Sequence, residues 1–210
     1  MESTYKVYPN VKLGKNVSIG DYCIIGEPFE KNEMETTIGD NAIIRSHTVV
    51  YSGNKIGAKF TTGHAAFIQQ NNKIGENSSL GTHSVILHDA RIGNNVKIHT
   101  NSFIPEFTVI EDGVWVGPHV VITNVLHPLC KKSKECMRLR FVTIGKGAII
   151  GANVTILPGV KIGEKAVIGA GSVVRDDVPP RTIMAGNLAR ALKSIDDIKC
   201  PIGLVEKPYG

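Results

Sequence analysis

The chain has 210 residues, of which 42% are hydrophobic, 20% are charged and 6% are aromatic. This is the composition of a globular protein, and no apolar run approaches the roughly 20 residues that a membrane span requires. The net charge of +5 favours anionic ligands. The start, MESTYKVYPN, lacks the apolar core of a signal peptide, and the four cysteines are not spaced like a dense disulfide framework. The sequence therefore predicts a cytoplasmic protein with no membrane partner.

The first pattern along the chain is a six-residue period of aliphatic side chains, which we call anchors. It begins at Leu13, Ile19 and Ile25. It continues at Ile38, Ile44, Val50, Ile56, Thr62, Ile68, Ile74, Leu80, Ile86, Ile92, Ile98, Ile104, Ile110, Val116 and Ile122, and again at Ile144, Ile150, Ile156, Ile162, Ile168 and Val174. All of these except Thr62 are aliphatic. A helix cannot keep every sixth residue on one face, so the period excludes a helical fold. Short strands separated by turns can keep it.

A longer period, equal to three hexapeptides, is superimposed on the first. The segments IGDNA, IGAKF, IGENS, IGNNV and IEDGV begin at positions 38, 56, 74, 92 and 110. Three hexapeptides then form one triangular coil, and stacked coils bury their anchors in a continuous column with parallel strand pairing. The glycines that follow many anchors suit sharp corners. The sequence predicts an all-β fold, a parallel β-helix.

The period is interrupted twice. The interval from Ile25 to Ile38 exceeds one repeat by seven positions, and the interval from Ile122 to Ile144 exceeds it by sixteen. We therefore predict loops at 26–37 and 123–143. Long insertions in a compact fold are usually functional or disordered. The second loop is basic, with cations at Lys131, Lys132, Lys134, Arg138 and Arg140 against a single acid, Glu135.

The repeat resembles that of the hexapeptide-repeat acyltransferases over roughly residues 10–190. This resemblance implies a left-handed parallel β-helix over residues 1–187, followed by a C-terminal tail or short helix at 188–210. The segments VWVGPHVVITNVLHPLC and VTIGKGAIIGANVTILPGVKIGEKAVIGAGSVVRDDVPP resemble the catalytic core of the sugar acetyltransferases of this superfamily, including the maltose and galactoside enzymes.

The second interruption carries the residue to which this resemblance assigns catalysis. His127 precedes Pro128 and comes five positions after the anchor Ile122, where the family places its general base. A neutral imidazole can accept a proton from an acceptor that attacks acetyl-CoA near pH 7. A structural or surface role for His127 is the alternative. A structural metal site formed with Cys130 and Cys136 is another, although no metal is expected.

The last repeats are followed by a segment that resembles the family's cover for coenzyme A. The family has Gly-x-Pro-Ala followed by a basic residue, and this chain has GNLAR, with Leu188 in place of proline. The resemblance assigns Ala152 and Ala170 to contacts with the pantetheine arm. Candidate phosphate ligands are Arg175, Arg190 and Lys193, because guanidinium and ammonium groups bind phosphate oxygens. The alternative for this segment is a helix with a solvated basic face.

Polar residues recur once per coil on one predicted corner. We call Gln70, His88, Glu106 and Asn124 the corner column; it ends at the start of the second interruption. We predict a wall of the acceptor site that faces a neighbouring subunit, with Glu106 and Asn124 catalytic and Gln70 and His88 binding substrate. Lys131 and Arg138 would bind it from the basic loop. The alternative is a stack of exposed turn residues.

Histidines also recur along a different corner, where His47, His83 and His119 appear in every second coil. Two coils separate neighbouring members, which is about 9.6 Å at the spacing of paired strands. That distance is too long for them to share one metal ion within a chain.

The favoured function is an acetyl-CoA-dependent N-acetyltransferase that acts on a nucleotide-linked amino sugar, for surface polysaccharide or glycan synthesis. The resemblance further implies a homotrimer with active sites between subunits. One alternative is a sugar O-acetyltransferase of the maltose or galactoside type. Others are a zinc protein similar to γ-class carbonic anhydrases, which use hexapeptide β-helices, and a non-catalytic β-helical scaffold. No motif for nucleic-acid binding is found.

Overall fold

The structure is a computed structural model that describes residues 4–29 and 34–198, together with residues 202, 206 and 208. Up to Val174 its short strands form three parallel sheets, and successive strands along the chain belong to successive sheets. Each turn of the chain therefore contributes one strand to each of three faces. This arrangement is the predicted triangular β-helix.

The strands are numbered in chain order and group into the three sheets as follows. The first sheet contains β1 (Lys6–Val7), β4 (Ile24–Glu27), β7 (Val49–Tyr51), β10 (Phe67–Ile68), β13 (Val85–Ile86), β16 (Phe103–Ile104), β19 (Val121–Ile122), β22 (Thr155–Ile156) and β25 (Val173–Val174). The second contains β2 (Val11–Leu13), β5 (Thr36–Ile38), β8 (Lys55–Ile56), β11 (Lys73–Ile74), β14 (Arg91–Ile92), β17 (Val109–Ile110), β20 (Thr143–Ile144) and β23 (Lys161–Ile162). The third contains β3 (Ser18–Ile19), β6 (Ile43–Ile44), β9 (Thr61–Thr62), β12 (Ser79–Leu80), β15 (Lys97–Ile98), β18 (Trp115–Val116), β21 (Ile149–Ile150), β24 (Val167–Ile168), β26 (Thr182–Ala185) and β27 (Arg190–Ser194).

The strand register confirms the period of three hexapeptides. Ile74 pairs with Ile56 on one side and with Ile92 on the other. The anchors from Ile38 onward are buried, and all of them except Thr62 belong to one apolar core. Burying a side chain of this size contributes about 1.5–3 kcal/mol, so the stack of anchors is the main source of stability.

The corners explain the composition of the repeat. The third residue after an anchor adopts a left-handed conformation, as at Asn41 (φ 58°) and Asn77 (φ 54°), and asparagine tolerates this conformation better than most residues. The residue after the anchor is often glycine because the next coil lies against it. A Cβ added at Gly57 would lie 2.7 Å from the backbone nitrogen of Glu76.

The second interruption, residues 123–143, contains a short helix, α1 (Ser133–Leu139), and we call the whole segment the flap. The C-terminal segment differs from a helix with a basic face. Residues Arg190–Ser194 form β27, which pairs antiparallel with β26 at the end of the third sheet. Among the described residues after β27, the one helical element is a turn of 3₁₀ helix at Ile195–Asp197. Within the described residues, no helix is long and apolar enough to cross a membrane.

Candidate active site

The corner column lies where the chain leaves the first sheet, and the structure brings three of its four residues together. The side-chain amide of Asn124 donates a hydrogen bond to Oε2 of Glu106. The other carboxylate oxygen of Glu106, Oε1, is 3.8 Å from Nε2 of His88. The side chains of His88 and Glu106 are 29% and 18% exposed. Gln70 takes no part in these contacts: its Oε1 is buried and has no hydrogen-bond partner among the residues that the structure describes.

Asp89 orients His88, and sequence analysis did not identify this residue. Nδ1 of His88 is 2.8 Å from Oδ2 of Asp89, and a carboxylate can only accept, so Nδ1 carries the proton. In the neutral ring, Nε2 is then the basic nitrogen, and it faces Glu106. The second oxygen of Asp89 accepts a hydrogen bond from Asn71. An aspartate directly after the column histidine was the signal that could have revealed this pair.

The flap helix packs over this corner. The amide of Asn124 also lies 3.4 Å from the sulfur of Met137. The guanidinium of Arg138 lies 5.8 Å from the centre of the Phe107 ring, and that ring meets the His88 ring edge to face at 5.5 Å. The column and the flap therefore form one connected cluster. Arg138, for which the sequence predicted a contact with substrate, belongs to this cluster through Phe107.

His127 and Lys131 lie on the outer part of the flap. Both are exposed. The carbonyl of His127 accepts a hydrogen bond from the backbone nitrogen of Cys130 at 3.0 Å, which fixes the turn after the histidine. Among the described residues of a single chain, the His127 ring has no hydrogen-bond partner. For His127 to act as the predicted base, a bound acceptor or a second chain would have to supply the partners of its ring.

A groove of about 530 Å³ lies between the flap and the outer face of the second sheet. One of its sides is basic and aromatic, and the other is polar and close to the column. The groove is lined by Asn71, Lys73, Asp89, Ala90, Arg91, Phe107, Val109, Arg138 and Phe141. Lys73, Arg91, Phe107 and Phe141 were not identified from the sequence. Each occupies a repeat or flap position where a surface role was the simpler interpretation.

The C-terminal candidates for cofactor binding lie at the C-terminal end of the β-helix, where β25 is two strands away from β19 in the first sheet. Arg175 donates two hydrogen bonds to Asp176, at 3.2 and 3.1 Å, and this contact holds the pKa of Asp176 below its usual range. The positive charge of Arg190 lowers the same pKa further, so both guanidinium groups lie near one carboxylate. Lys193 is exposed on β27. These cations are accessible, but Arg175 is already paired.

Ala152 and Ala170 occupy equivalent positions in adjacent coils, two residues after the anchors Ile150 and Ile168. A Cβ added at Gly151 would lie 2.6 Å from the backbone nitrogen of Ala170, so the coils are in close contact here. Small side chains leave the backbone at this corner open to a narrow ligand. The chain at Ala189 closes over the last coil by donating to the carbonyl of Val173 at 2.8 Å.

In the described parts of the chain, no three side chains of His, Cys, Asp or Glu converge as they would around a metal ion. The predicted alternative was a structural metal site formed by His127, Cys130 and Cys136. The side chain of Cys136 lies outside the described part of the structure.

Comparisons with known proteins agree with the repeat and the fold. The family model described as bacterial transferase hexapeptide (six repeats) matches residues 73–106 and 141–176. The galactoside O-acetyltransferase of Escherichia coli K12 is 39% identical over 98 residues, which are 45% of this chain and 48% of that enzyme. A 2,3,4,5-tetrahydropyridine-2,6-dicarboxylate N-acetyltransferase of Clostridium perfringens is 42% identical over 84 residues, 40% of this chain and 32% of that protein.

A solved structure supports the architecture over a larger part of the chain. The UDP-N-acetylglucosamine acyltransferase of Bacteroides fragilis superimposes with a TM-score of 0.56 at 17% identity, covering 92% of this chain and 74% of that one. The fold is thus the left-handed parallel β-helix, and two segments of the chain match the repeat of the bacterial hexapeptide transferases. The matched regions span about half or less of the curated relatives.

Proposed function

We propose that this protein is an acetyl-CoA-dependent N-acetyltransferase that acts on the amine of a nucleotide-linked amino sugar, for surface polysaccharide or glycan synthesis. The observation that carries the proposal is the cluster at the root of the flap, where Asn124, Glu106 and His88 meet. A carboxylate and an imidazole in a partly buried corner suit the binding and deprotonation of an amine. Relatives within the family include both O- and N-acetyltransferases.

The chemistry needs few protein groups. The amine nitrogen of the sugar attacks the carbonyl carbon of the acetyl thioester, and a tetrahedral oxyanion forms. Collapse of this intermediate breaks the carbon–sulfur bond and releases coenzyme A, whose thiolate takes up a proton. The attacking nitrogen loses one proton to a base. Backbone N–H groups at the corners of a rigid β-helix are suitable donors to the oxyanion.

Two imidazoles are candidates for that base. The flap supplies His127, and the family resemblance favours this residue. The corner supplies His88, which Asp89 orients so that Nε2 is free to accept a proton. In either case Glu106 and Asn124 hold the amine, because the carboxylate attracts an ammonium group and the amide carbonyl of Asn124 can accept a hydrogen bond from it.

The acetyl-CoA in this proposal binds at the C-terminal coils. The pantetheine arm runs past Ala152 and Ala170, where the side chains are small. Arg190 and Lys193 contact the phosphates, and Arg175 joins them if it exchanges Asp176 for phosphate oxygens. The pantetheine arm then extends from the C-terminal coils toward the flap.

A homotrimer completes the proposed site. A single flat face of a triangular solenoid is open to water, whereas a groove between neighbouring chains can enclose a thioester. The exposed His127 is suited to such a groove. Mixing inactive His127→Ala protein with inactive Arg190→Glu protein should restore activity if base and cofactor tail come from different chains. Verified mixed trimers without activity would place both on one chain, and a fully active monomer would exclude the shared site.

The proposed reaction is tested by incubating the protein with acetyl-CoA and a panel of UDP- and dTDP-linked amino sugars, with free thiol release and mass spectrometry as readouts. Galactosides and maltose are included to test the O-acetyltransferase alternative. We expect an N-acetylated nucleotide sugar and little transfer to the free sugars. Transfer to a free sugar hydroxyl alone would reject the N-acetyltransferase assignment, and thiol release with no acceptor product would reject both.

A further inference from the structure

The outer face of the second sheet carries cations that have no acidic partner. Lys73 pairs in register with Lys55 on one side and with Arg91 on the other. Like charges on directly opposed residues destabilise a sheet. Within the described residues, none of these three side chains forms an ion pair, and neither does Arg138 above them. A row of uncompensated cations of this kind suits an anion with several charges.

Lys73, Arg91 and Arg138 all line the groove beneath the flap, together with two aromatic rings. Phe107 adopts a left-handed backbone conformation (φ 62°). The same position in the two preceding coils holds Asn71 and Asp89, residue types that adopt this conformation more readily. Phe107 is therefore a bulky aromatic residue in a backbone conformation that disfavours such residues, and its ring forms one side of the groove.

The groove is also divided by charge. Asp89 lines it next to His88 and near Glu106, so its corner end is acidic. Lys73 and Arg91 make the sheet end basic. Its volume of about 530 Å³ falls within the range of roughly 300–1,000 Å³ that is usual for small-molecule sites. A ligand that fits this division has a cationic or hydroxyl-rich end and an anionic end.

We propose that this groove binds the nucleoside diphosphate portion of the acceptor, an assignment that rests on the proposed function for the identity of the sugar. The base stacks on Phe107 and Phe141, and the diphosphate contacts Lys73, Arg91 and Arg138. Asp89 accepts hydrogen bonds from hydroxyl groups of the ligand. The sugar amine then points toward the corner column, where the transfer occurs. Base stacking on aromatic rings and bidentate contacts from arginine are the usual means of holding such ligands.

The first test measures binding without catalysis. Isothermal titration with UDP and with dTDP, in the absence of any acyl donor, is compared for the wild type, Arg91→Gln and the control Lys161→Gln. Lys161 is exposed at the same position of a strand in the same sheet, outside the groove. Arg91→Gln should raise the Kd about 10-fold, the loss of one charge-assisted hydrogen bond. Lys161→Gln should leave the Kd unchanged.

A second variant separates binding from folding. Phe107→Asn places at this corner the residue type found in the preceding coils, so the protein should remain folded, with no loss of Tm. Loss of base stacking should raise the Kd for UDP or dTDP by about 5- to 10-fold. An unchanged Kd in both Phe107→Asn and Arg91→Gln would overturn the proposal, and so would a wild-type protein that binds neither diphosphate.

The same titrations with coenzyme A identify the source of the bound phosphates. If Arg91→Gln weakens coenzyme A and leaves UDP and dTDP unaffected, the groove belongs to the donor and our assignment is wrong. The proposed function and the proposed groove can fail independently of each other. N-acetylation with an unchanged acceptor KM in Arg91→Gln would keep the reaction and reject the groove. Diphosphate binding that depends on Arg91 without any acetylation would keep the groove and reject the reaction.

Discussion

The two interruptions of the hexapeptide period both preserve the strand register of the β-helix, but they contact different parts of it. Leu13 pairs with Ile38 across the first, and Ile110 pairs with Ile144 across the second, so both leave the register intact. In each case the extra residues are inserted at a corner, between an anchor and the next strand. The coils of a β-helix are held together by the buried anchors and by parallel strand pairing. An insertion at a corner changes neither of these, so the β-helix accepts it.

The described ends of the first interruption contact only the N-terminal coils. The amide of Asn10 donates to the carbonyl of Met34 at 2.8 Å, and Phe29 packs edge to face on Tyr51 at 6.1 Å. The second interruption contacts the corner column and the groove, through Met137 and Arg138. From this contrast we expect an insertion to be functional when it covers polar residues of the repeat. Variants of the two insertions and of the residues beneath the flap can test this contrast.

Removing the flap should abolish turnover and preserve the fold. Deletion of residues 126–141 leaves Ile122 and Ile144 six residues apart, and Val125→Gly provides a residue suited to the left-handed corner. Val142 is buried and then occupies the position of the small core residue. We expect turnover to fall by about 10⁴-fold, the upper end of what a general base contributes. Circular dichroism and a cooperative thermal transition check the fold, and substantial remaining turnover would assign catalysis elsewhere.

Substitution of single histidines should identify the base. His127→Ala should lower turnover by about 10²- to 10⁴-fold and leave the Kd of acetyl-CoA unchanged. His88→Gln, the matched variant at the corner, should mainly raise the acceptor's KM. The pH dependence of kcat/KM is measured for both. If His88→Gln removes the acidic limb of that profile while His127→Ala retains near wild-type turnover, the ring oriented by Asp89 is the base.

Glu106→Gln should have a smaller effect. It keeps the size of the side chain and can keep a contact with Asn124, but it loses the negative charge that attracts an ammonium group. We expect the acceptor's KM to rise about 10-fold, as for the loss of one charge-assisted interaction, with no change in coenzyme A affinity. Glu76→Gln is the control, because Glu76 is an exposed residue at the same position of another corner. A change in coenzyme A affinity alone would show that the column is wrongly assigned to the acceptor.

The fold could be predicted in detail because each hexapeptide repeats the same physical problem. An aliphatic anchor must be buried, and a coil in close contact favours glycine after it, so position in the period determines burial and pairing. Even the excess lengths of the interruptions follow from the sequence. The C-terminal segment has no period, and residues 190–194 became a strand because β26 offered an unpaired edge.

The site could be predicted only where it follows the period. His88, Glu106 and Asn124 are each one coil apart, so their proximity is a consequence of the winding. The contacts of Arg138 with Phe107 and of Met137 with Asn124 depend on how the flap folds back, and no spacing in the sequence encodes that. The pair formed by His88 and Asp89 depends on rotamers at a left-handed corner. Lys73 and Arg91 become part of a groove only because the flap covers them.

Shortening the first interruption should have the smallest effect on catalysis. Deletion of residues 28–34 leaves Ile25 and Ile38 six residues apart, and Glu35→Asn supplies a residue that suits the left-handed corner. Thr36, already buried, then occupies the position of the small core residue, so the deletion restores a regular repeat. Loss of the two hydrogen bonds that the Met34 carbonyl accepts, from Asn10 and from Gly53, should cost about 2 kcal/mol at about 1 kcal/mol each, and the shorter loop offsets part of that. We expect turnover and both KM values to stay within about twofold of the wild type, a difference below about 1 kcal/mol. A large fall in turnover with an unchanged thermal transition would mean that both interruptions take part in catalysis, and the contrast between them would be lost.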